Sequence, residues 1–548
     1  MPRPSTRPTD ADSLIEFHEQ LIFRRAYPRN QGELTRIENQ LKEIRSLVRR
    51  LHKTGVDLSP LDAPEVSGIA GTSVTSNFSY ALVRWLVARF PNQLSIDWDW
   101  FDSEDQFGAT MSRFLPLLEE DAMVEAHVPY RKWLDFARGR QNEVGWIIER
   151  FASLSLGDRQ KAELYDSLKL HVTWQFGWRS SRTGMRLPPR KTFFHGAPLI
   201  KRRDVSLADE LNSRAIPVKK LSRSEGEKAL DLARETSAVR YRELHGFTYG
   251  DSSRVVQANL GRGAEAFVVG VPPEHRLPLR AYHAAIIFKN GVPVAYFEGL
   301  SLCERMESGF NLYYTFRAGE TAWLYARILR LMRQLLGVTV FSIDPYQIGH
   351  ENEEGIESGA FWFYRKLGFR PVKPELLKLT LAEERKMATN PSHRTSARVL
   401  RKLASGHMLF EMPGKESREW DRFEVRNIGL AVQRRMAKEF DSNPGKVQQY
   451  TSQFAVKTLG LKVLKDETQM KLVDDLVIAL STSADVPKWP RDEIKAVAKI
   501  FLAKSGFDEA QYLRQMQKHA LLRASLIKLG CQRQLNRGEL EYAIQLTI

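Results

Sequence analysis

The stretch 359-GAFWFYRKLGF-369 decides how the chain is read. It sets an aromatic run on a helix, expected over Glu357 to Leu367, that stops at Gly368 and feeds a strand over Phe369 to Val372. Just upstream, Val338 to Ile343 is apolar and β-branched, the pattern of a strand buried on both faces. Before it, Gly319 to Leu336 repeats apolar residues at helical spacing and closes at Gly337, and Phe310 to Phe316 reads as a strand. Strand, turn, helix, strand, helix, strand predicts an α/β (α+β) domain. A helix that begins directly after a strand turns unpaired N–H groups and a positive dipole end toward any anion. Here that start is Arg317-Ala318-Gly319-Glu320-Thr321-Ala322, where Gly319 permits close backbone approach and Arg317 adds a fixed positive charge.

Further upstream, Ile216 to Leu221 is a short strand, and Ser224 with Glu227 makes a capping box for a helix to about Glu243. Ala264 to Val271, Ala281 to Lys289 and Val292 to Leu302 follow as strands, the last two joined by Asn290-Gly291, the strongest two-residue hairpin signal. Residues 1–203 read as mainly helical, with Leu34, Ile37, Leu41, Ile44, Leu47, Val48 and Leu51 on one face of a helix over Glu33 to Lys53. The tryptophans between Trp85 and Trp178 read as packing residues. Trp178 to Arg203 reads as a connection whose Arg186, Arg190 and Lys191, flanked by Phe193 and Phe194, suit an anion. From 377 to 548 the chain is again helical and basic. The expected architecture is a central mixed sheet with flanking helices at 214–376, between two mainly helical regions.

Composition narrows the classes. In 548 residues, 82 Lys+Arg against 66 Asp+Glu give a net charge of +16, and Lys386 onward carries 28 against 18. A basic balance favours acidic partners, nucleic acid among them through the C-terminal region. Only Cys303 and Cys531 are present, which excludes a disulfide framework or a cysteine-rich metal module. No apolar stretch reaches the length of a membrane span, and the N-terminus lacks a secretory pattern, so a cytoplasmic protein without a membrane span is expected. The acidic run His350 to Gly355 reads as a solvated loop suited to a basic or amine-bearing acceptor, with no metal site expected.

Ala360, Tyr364, Gly368 and Phe369 resemble the Ala-x-x-x-Tyr-x-x-x-Gly-Phe helix of the GNAT-fold N-acetyltransferase superfamily, and the order of elements around them is similar to its second half. The resemblance covers the central part of the chain only. It implies an opening between two splayed strands that holds acetyl-CoA or another acyl-CoA as co-substrate. The pyrophosphate would lie on Arg317, Ala318, Gly319, Glu320, Thr321 and Ala322. Tyr364 would protonate the leaving thiolate, and Glu298 would take the proton of an amine acceptor, with His283 and Asp344 as further candidates for that base. Competing readings make Tyr364 a core residue with a satisfied hydroxyl and Glu298 a solvent-facing strand residue. Two other functions fit the same residues: a GNAT-like binding or scaffold protein without catalysis, and a transferase that uses an aminoacyl-tRNA donor.

Overall fold

The structure is a computed structural model, and it describes residues 8–115, 117–461, 466–483 and 485–532. Two sheets carry the described strands. In the small one, β1 (Ser73–Ser76), β2 (Leu94–Ile96) and β3 (Val172–Gln175) run in the order β1-β3-β2. The large one holds β4 (Val218–Lys220), β5 (Val255–Gly261), β6 (Ala264–Gly270), β7 (Ala281–Lys289), β8 (Val292–Leu302), β9 (Arg305–Leu312), β10 (Val340–Ile343), β11 (Arg370–Pro371) and β12 (Met408–Glu411). Its order is β11-β12-β10-β9-β8-β7-β6-β5-β4, and β9 with β10 is its one parallel pair. The expected mixed sheet with flanking helices is present.

Local chemistry explains the turns. Asn290 and Gly291 both take positive φ, 47° and 79°, as the two-residue turn between β7 and β8 requires. The Asn290 amide also donates to the carbonyls of Ala26 and Phe193, so the hairpin tip holds the N-terminal helix and the 178–203 connection against the sheet. Ser222, rather than Ser224, caps helix Arg223–Ala238 and shares its box with Glu225. Leu221 is buried and bonded to β5, so the chain must turn at once and uses the earlier of two Ser-x-x-Glu boxes.

Other expectations shift for physical reasons. The strand expected at Phe310 to Phe316 is Arg305–Leu312, because a tight turn at Cys303 (φ 51°) returns the chain earlier than its polar residues suggest. The single helix expected over Glu357 to Leu367 is two, Glu353–Glu357 and Ala360–Arg365, parted by Gly359 at φ 65°. The sheet also extends past residue 376: β12 inserts between β10 and β11, so residues on both sides of that point share one sheet.

Two apolar cores result. The larger gathers helices Ala11–Ala26 and Gln31–Lys53, the nine-stranded sheet, helix Thr321–Leu336 and the C-terminal helices. The smaller is built from Val74 to Met185 around Trp146, Phe151 and Trp174, and it reaches the rest through Ala238 and Val239. Helix Tyr80–Arg89 docks the small unit on helix Arg223–Ala238: Arg89 pairs with Asp231 at 3.1 Å and Glu235 at 2.9 Å, and the Trp85 indole donates to Asp231. Among the described residues no helix is long and apolar enough to cross a membrane.

Candidate functional site

β9 and β10 part company. Their pairing runs from Arg305 with Val340 to Glu307 with Ser342, whereas β9 continues to Leu312 against β8 alone. The main-chain edge of Ser308 to Leu312 therefore has no strand partner on that side. A cleft of about 830 Å³ opens there. Phe310 lines it from one face of the sheet, packed 5.1 Å from Tyr325, while Asn311, opposite Tyr296, lines it from the other. The cleft is thus reached from both faces through the gap between the strands.

Tyr364 lines this cleft from helix Ala360–Arg365. Its ring is wedged against Tyr325, 5.6 Å between centroids, and Phe369, 5.7 Å. Among the described residues no hydrogen bond to its hydroxyl is present, although the residue is only 3% exposed. Burial pushes the phenol above its ordinary range, so it stays protonated at neutral pH. A rigid, protonated, unbonded phenol is equipped to give a proton to a good acceptor.

The turn before helix Thr321–Leu336 divides. Arg317, Ala318, Gly319, Thr321 and Ala322 line the cleft. The first-turn N–H groups of Thr321 and Ala322 have no intrahelical acceptor and suit an anion. Glu320 departs from the expectation. It is fully buried, turned away from the cleft, and bonded to Lys289 at 2.6 Å and Arg262 at 2.6 Å. Desolvation raises its carboxyl, but the bond from Arg262 and the charge of Lys289 outweigh that and hold it below the usual range. Its backbone N–H already meets the Tyr27 hydroxyl at 3.3 Å. That hydroxyl also explains Gly319, since a Cβ there would come within 2.6 Å of it. The close approach that glycine allows is made by Tyr27.

Glu298 also departs. It does not line the cleft; it lies one strand in, opposite Gly309, and accepts the Tyr282 hydroxyl at 2.5 Å through Oε1. It does share the sheet face of Asn311, and among the described residues no hydrogen bond to Oε2 is present. His283 is buried near Lys504 and Glu509 and does not line the cleft. Asp344 caps the turn Pro345–Ile348. Arg186, expected on an anion-binding surface, is bonded to Glu38 at 2.8 Å.

Sequence reasoning missed two contributors, Arg242 and the strap Pro198 to Arg202, and did not foresee the partners of Arg317. Arg242, after helix Arg223–Ala238, lines the Asn311 side and donates to the Tyr296 hydroxyl at 2.9 Å. Pro198 to Arg202 straps the other side, and Arg202 reaches the Lys366 carbonyl at 3.2 Å. Arg317 stacks over Tyr314 and pairs with Glu354 across the cleft. The basic composition of 178–203 was the only signal for the strap; Arg242 had none. Among the lining residues, Lys201, Arg202, Arg242 and Arg317 face a single carboxylate, Glu354, so the cleft favours an anionic ligand. Among the described residues no group of three or more His, Cys, Asp or Glu could hold a metal ion. Comparison of the chain with protein-family models, with curated proteins and with solved structures finds no match.

Proposed function

We propose that this protein is an acyltransferase of the GNAT type, moving an acyl group from acyl-coenzyme A to an amine. The observation that carries the reading is the parting of β9 and β10, which makes a cleft open to both sheet faces with the unbonded Tyr364 hydroxyl in its wall. A thioester donor enters from the Phe310 face, its diphosphate near Arg317 and the N–H groups of Thr321 and Ala322. An amine enters from the Asn311 face and attacks the thioester carbonyl. The C–N bond forms as the C–S bond breaks, Tyr364 gives its proton to the leaving sulfur, and Glu298 Oε2, on the acceptor face, receives the amine proton through solvent. Alignment within the cleft supplies much of the rate.

Binding without catalysis is the second reading, favoured by Tyr27, which already occupies the close approach at Gly319. Calorimetric titration with acetyl-coenzyme A, followed by assay of Tyr364→Phe, separates the two. Acyl transfer requires binding, and loss of the hydroxyl is expected to lower kcat about a hundredfold or more with the fold intact. Absence of binding at millimolar acetyl-coenzyme A overturns the proposal, as does full activity of Tyr364→Phe on an identified acceptor.

A further inference from the structure

A second groove, of about 940 Å³, lies beside the cleft between helices Ala11–Ala26 and Gln31–Lys53 and the segment Ala197–Leu199. Pro198 and Leu199 line both spaces, so one thin wall separates them. The groove is cationic. Arg29 and Arg36 line it beside one acid, Glu33, whose Oε2 is taken by the Arg29 backbone N–H at 2.8 Å. Among the described residues neither the Arg29 nor the Arg36 guanidinium meets a carboxylate, and Arg36 makes a weak contact to the Gly32 carbonyl at 3.4 Å. Asn39 and Gln40 add amides along the same helix.

His195 is the observation that points to a ligand. It lines the groove, is 7% exposed, and neither ring nitrogen has a partner among the described residues. Leaving two buried polar atoms unsatisfied is costly, so such atoms call for a partner that completes them. Burial, helped by the nearby Lys289 and Arg262 charges and opposed by Glu320, pulls the imidazole down to about 4, so at neutral pH it offers one donor and one acceptor. A fully deprotonated anion such as sulfate satisfies only the donor. A sugar hydroxyl beside a phosphate satisfies both. The floor is aromatic, Tyr27 stacking on Phe23 at 4.9 Å and lying 5.0 Å from His195, which gives a base apolar ring edges to pack against.

We infer that this groove is a binding site for a phosphorylated nucleoside, with Arg29 and Arg36 on the phosphate and His195 on both the phosphate and a sugar hydroxyl. Because the wall is shared, the ligand can be the 3′-phosphoadenosine end of the acyl donor, which rests on the reading above, or a separate nucleotide.

The test titrates the full chain with adenosine 3′,5′-bisphosphate, acetyl-coenzyme A and 3′-dephospho-acetyl-coenzyme A, each against wild type and the Arg29→Glu/Arg36→Glu double variant. Both arginines are solvent-exposed, so the fold is expected to persist, which a thermal melt checks. Bisphosphate affinity should fall about tenfold or more in the variant. If acetyl-coenzyme A loses affinity in parallel, and the dephospho form is already weak and indifferent to the variant, the site holds the donor. If the bisphosphate responds while acetyl-coenzyme A fails to bind or is indifferent, the site stands for a separate nucleotide. Failure of the bisphosphate to bind, or equal binding by the variant, overturns the inference even where acetyl-coenzyme A binds and the acyltransferase reading survives. His195→Phe gives an independent check: it keeps the ring packing, so stability should hold while bisphosphate affinity falls.

Discussion

The two walls of the cleft are built on opposite principles. On the wall of β9 and helix Thr321–Leu336, Glu320 and Lys289 are both fully buried and in direct contact, with Arg262 as a third member, and the Lys289 ammonium sits over the rings of Tyr27 and Trp323. On the facing wall, residues 350–358, Glu353 and Glu354 are solvent-exposed and meet Arg401 and Arg317 at the surface. Buried pairs are held by the absence of water, since losing one partner strands a charge in a poor solvent. Surface pairs exchange with water and salt at little cost. The comparison teaches that the acids bordering one anion-seeking turn serve different ends: Glu320 fixes the wall, and Glu354 occupies a cation that a ligand can take over.

The largest expected effect comes from breaking the fixed wall. Burial pulls Lys289 down to about 8 against the opposing pull of Glu320, so it remains charged at neutral pH. Lys289→Met leaves Glu320 buried with Arg262 and the Ile200 N–H but without its buried counter-charge, and a loss of about 3–5 kcal/mol is expected from chemical denaturation. Adding Glu320→Gln should restore part of that loss, because the stranded charge disappears. A change below about 1 kcal/mol in Lys289→Met would show that the wall is held by apolar packing instead.

Much of this contrast was invisible in the sequence, for a physical reason. Periodicity reports which face of an element is buried, and it located helix Gln31–Lys53, whose seven apolar positions are all buried, and helix Thr321–Leu336 with Gly337 in the left-handed region. Asn290-Gly291 specifies its own turn, so that hairpin was legible from two residues. Glu320 was not, because its partners Lys289 and Arg262 come from other strands and a loop, and no local rule couples them. β12, four residues long and apart from the rest of the sheet in sequence, carries too little pattern to be noticed alone. Within the candidate site, Tyr364 and the turn at Arg317 could be found because they sit on elements adjacent in sequence. Tyr27, His195 and Arg242 reach the cleft or its neighbour by tertiary packing.

A smaller effect tests a mixed case, in which a buried acid has a half-exposed partner. Glu235 is 2% exposed, but its partner Arg89 is nearly half exposed at the joint of the small unit. Desolvation outweighs the Arg89 bond and pushes the carboxyl up to about 7 from 4.5. The folded state therefore holds a proton that the unfolded state has released. This contribution is full below about pH 4.5, declines as pH rises, and is gone above about pH 7. Between pH 5 and pH 8 it amounts to about 2 kcal/mol. Denaturation at the two pH values should show Glu235→Gln losing less stability than wild type by that amount. Equal losses would place the Glu235 carboxyl in the ordinary range and the joint among the surface-type pairs.

The smallest stability effect belongs to the exchangeable wall. Glu354→Gln removes the counter-charge of Arg317 but buries nothing new, so the melting curve should move by no more than about 0.5 kcal/mol. Ligand binding should respond in the other direction. A freed Arg317 meets an incoming diphosphate without first giving up a partner, so affinity for acetyl-coenzyme A is expected to rise about two- to fivefold at low salt. Arg317→Ala should lower it, and the gain from Glu354→Gln should vanish in the double variant, since both act through one guanidinium. If Glu354→Gln destabilises the protein as strongly as Lys289→Met, the two walls do not differ in kind. If it leaves stability alone and weakens binding, Glu354 itself contacts the ligand, and the acid side of the cleft is a recognition surface rather than an exchangeable counter-charge for Arg317.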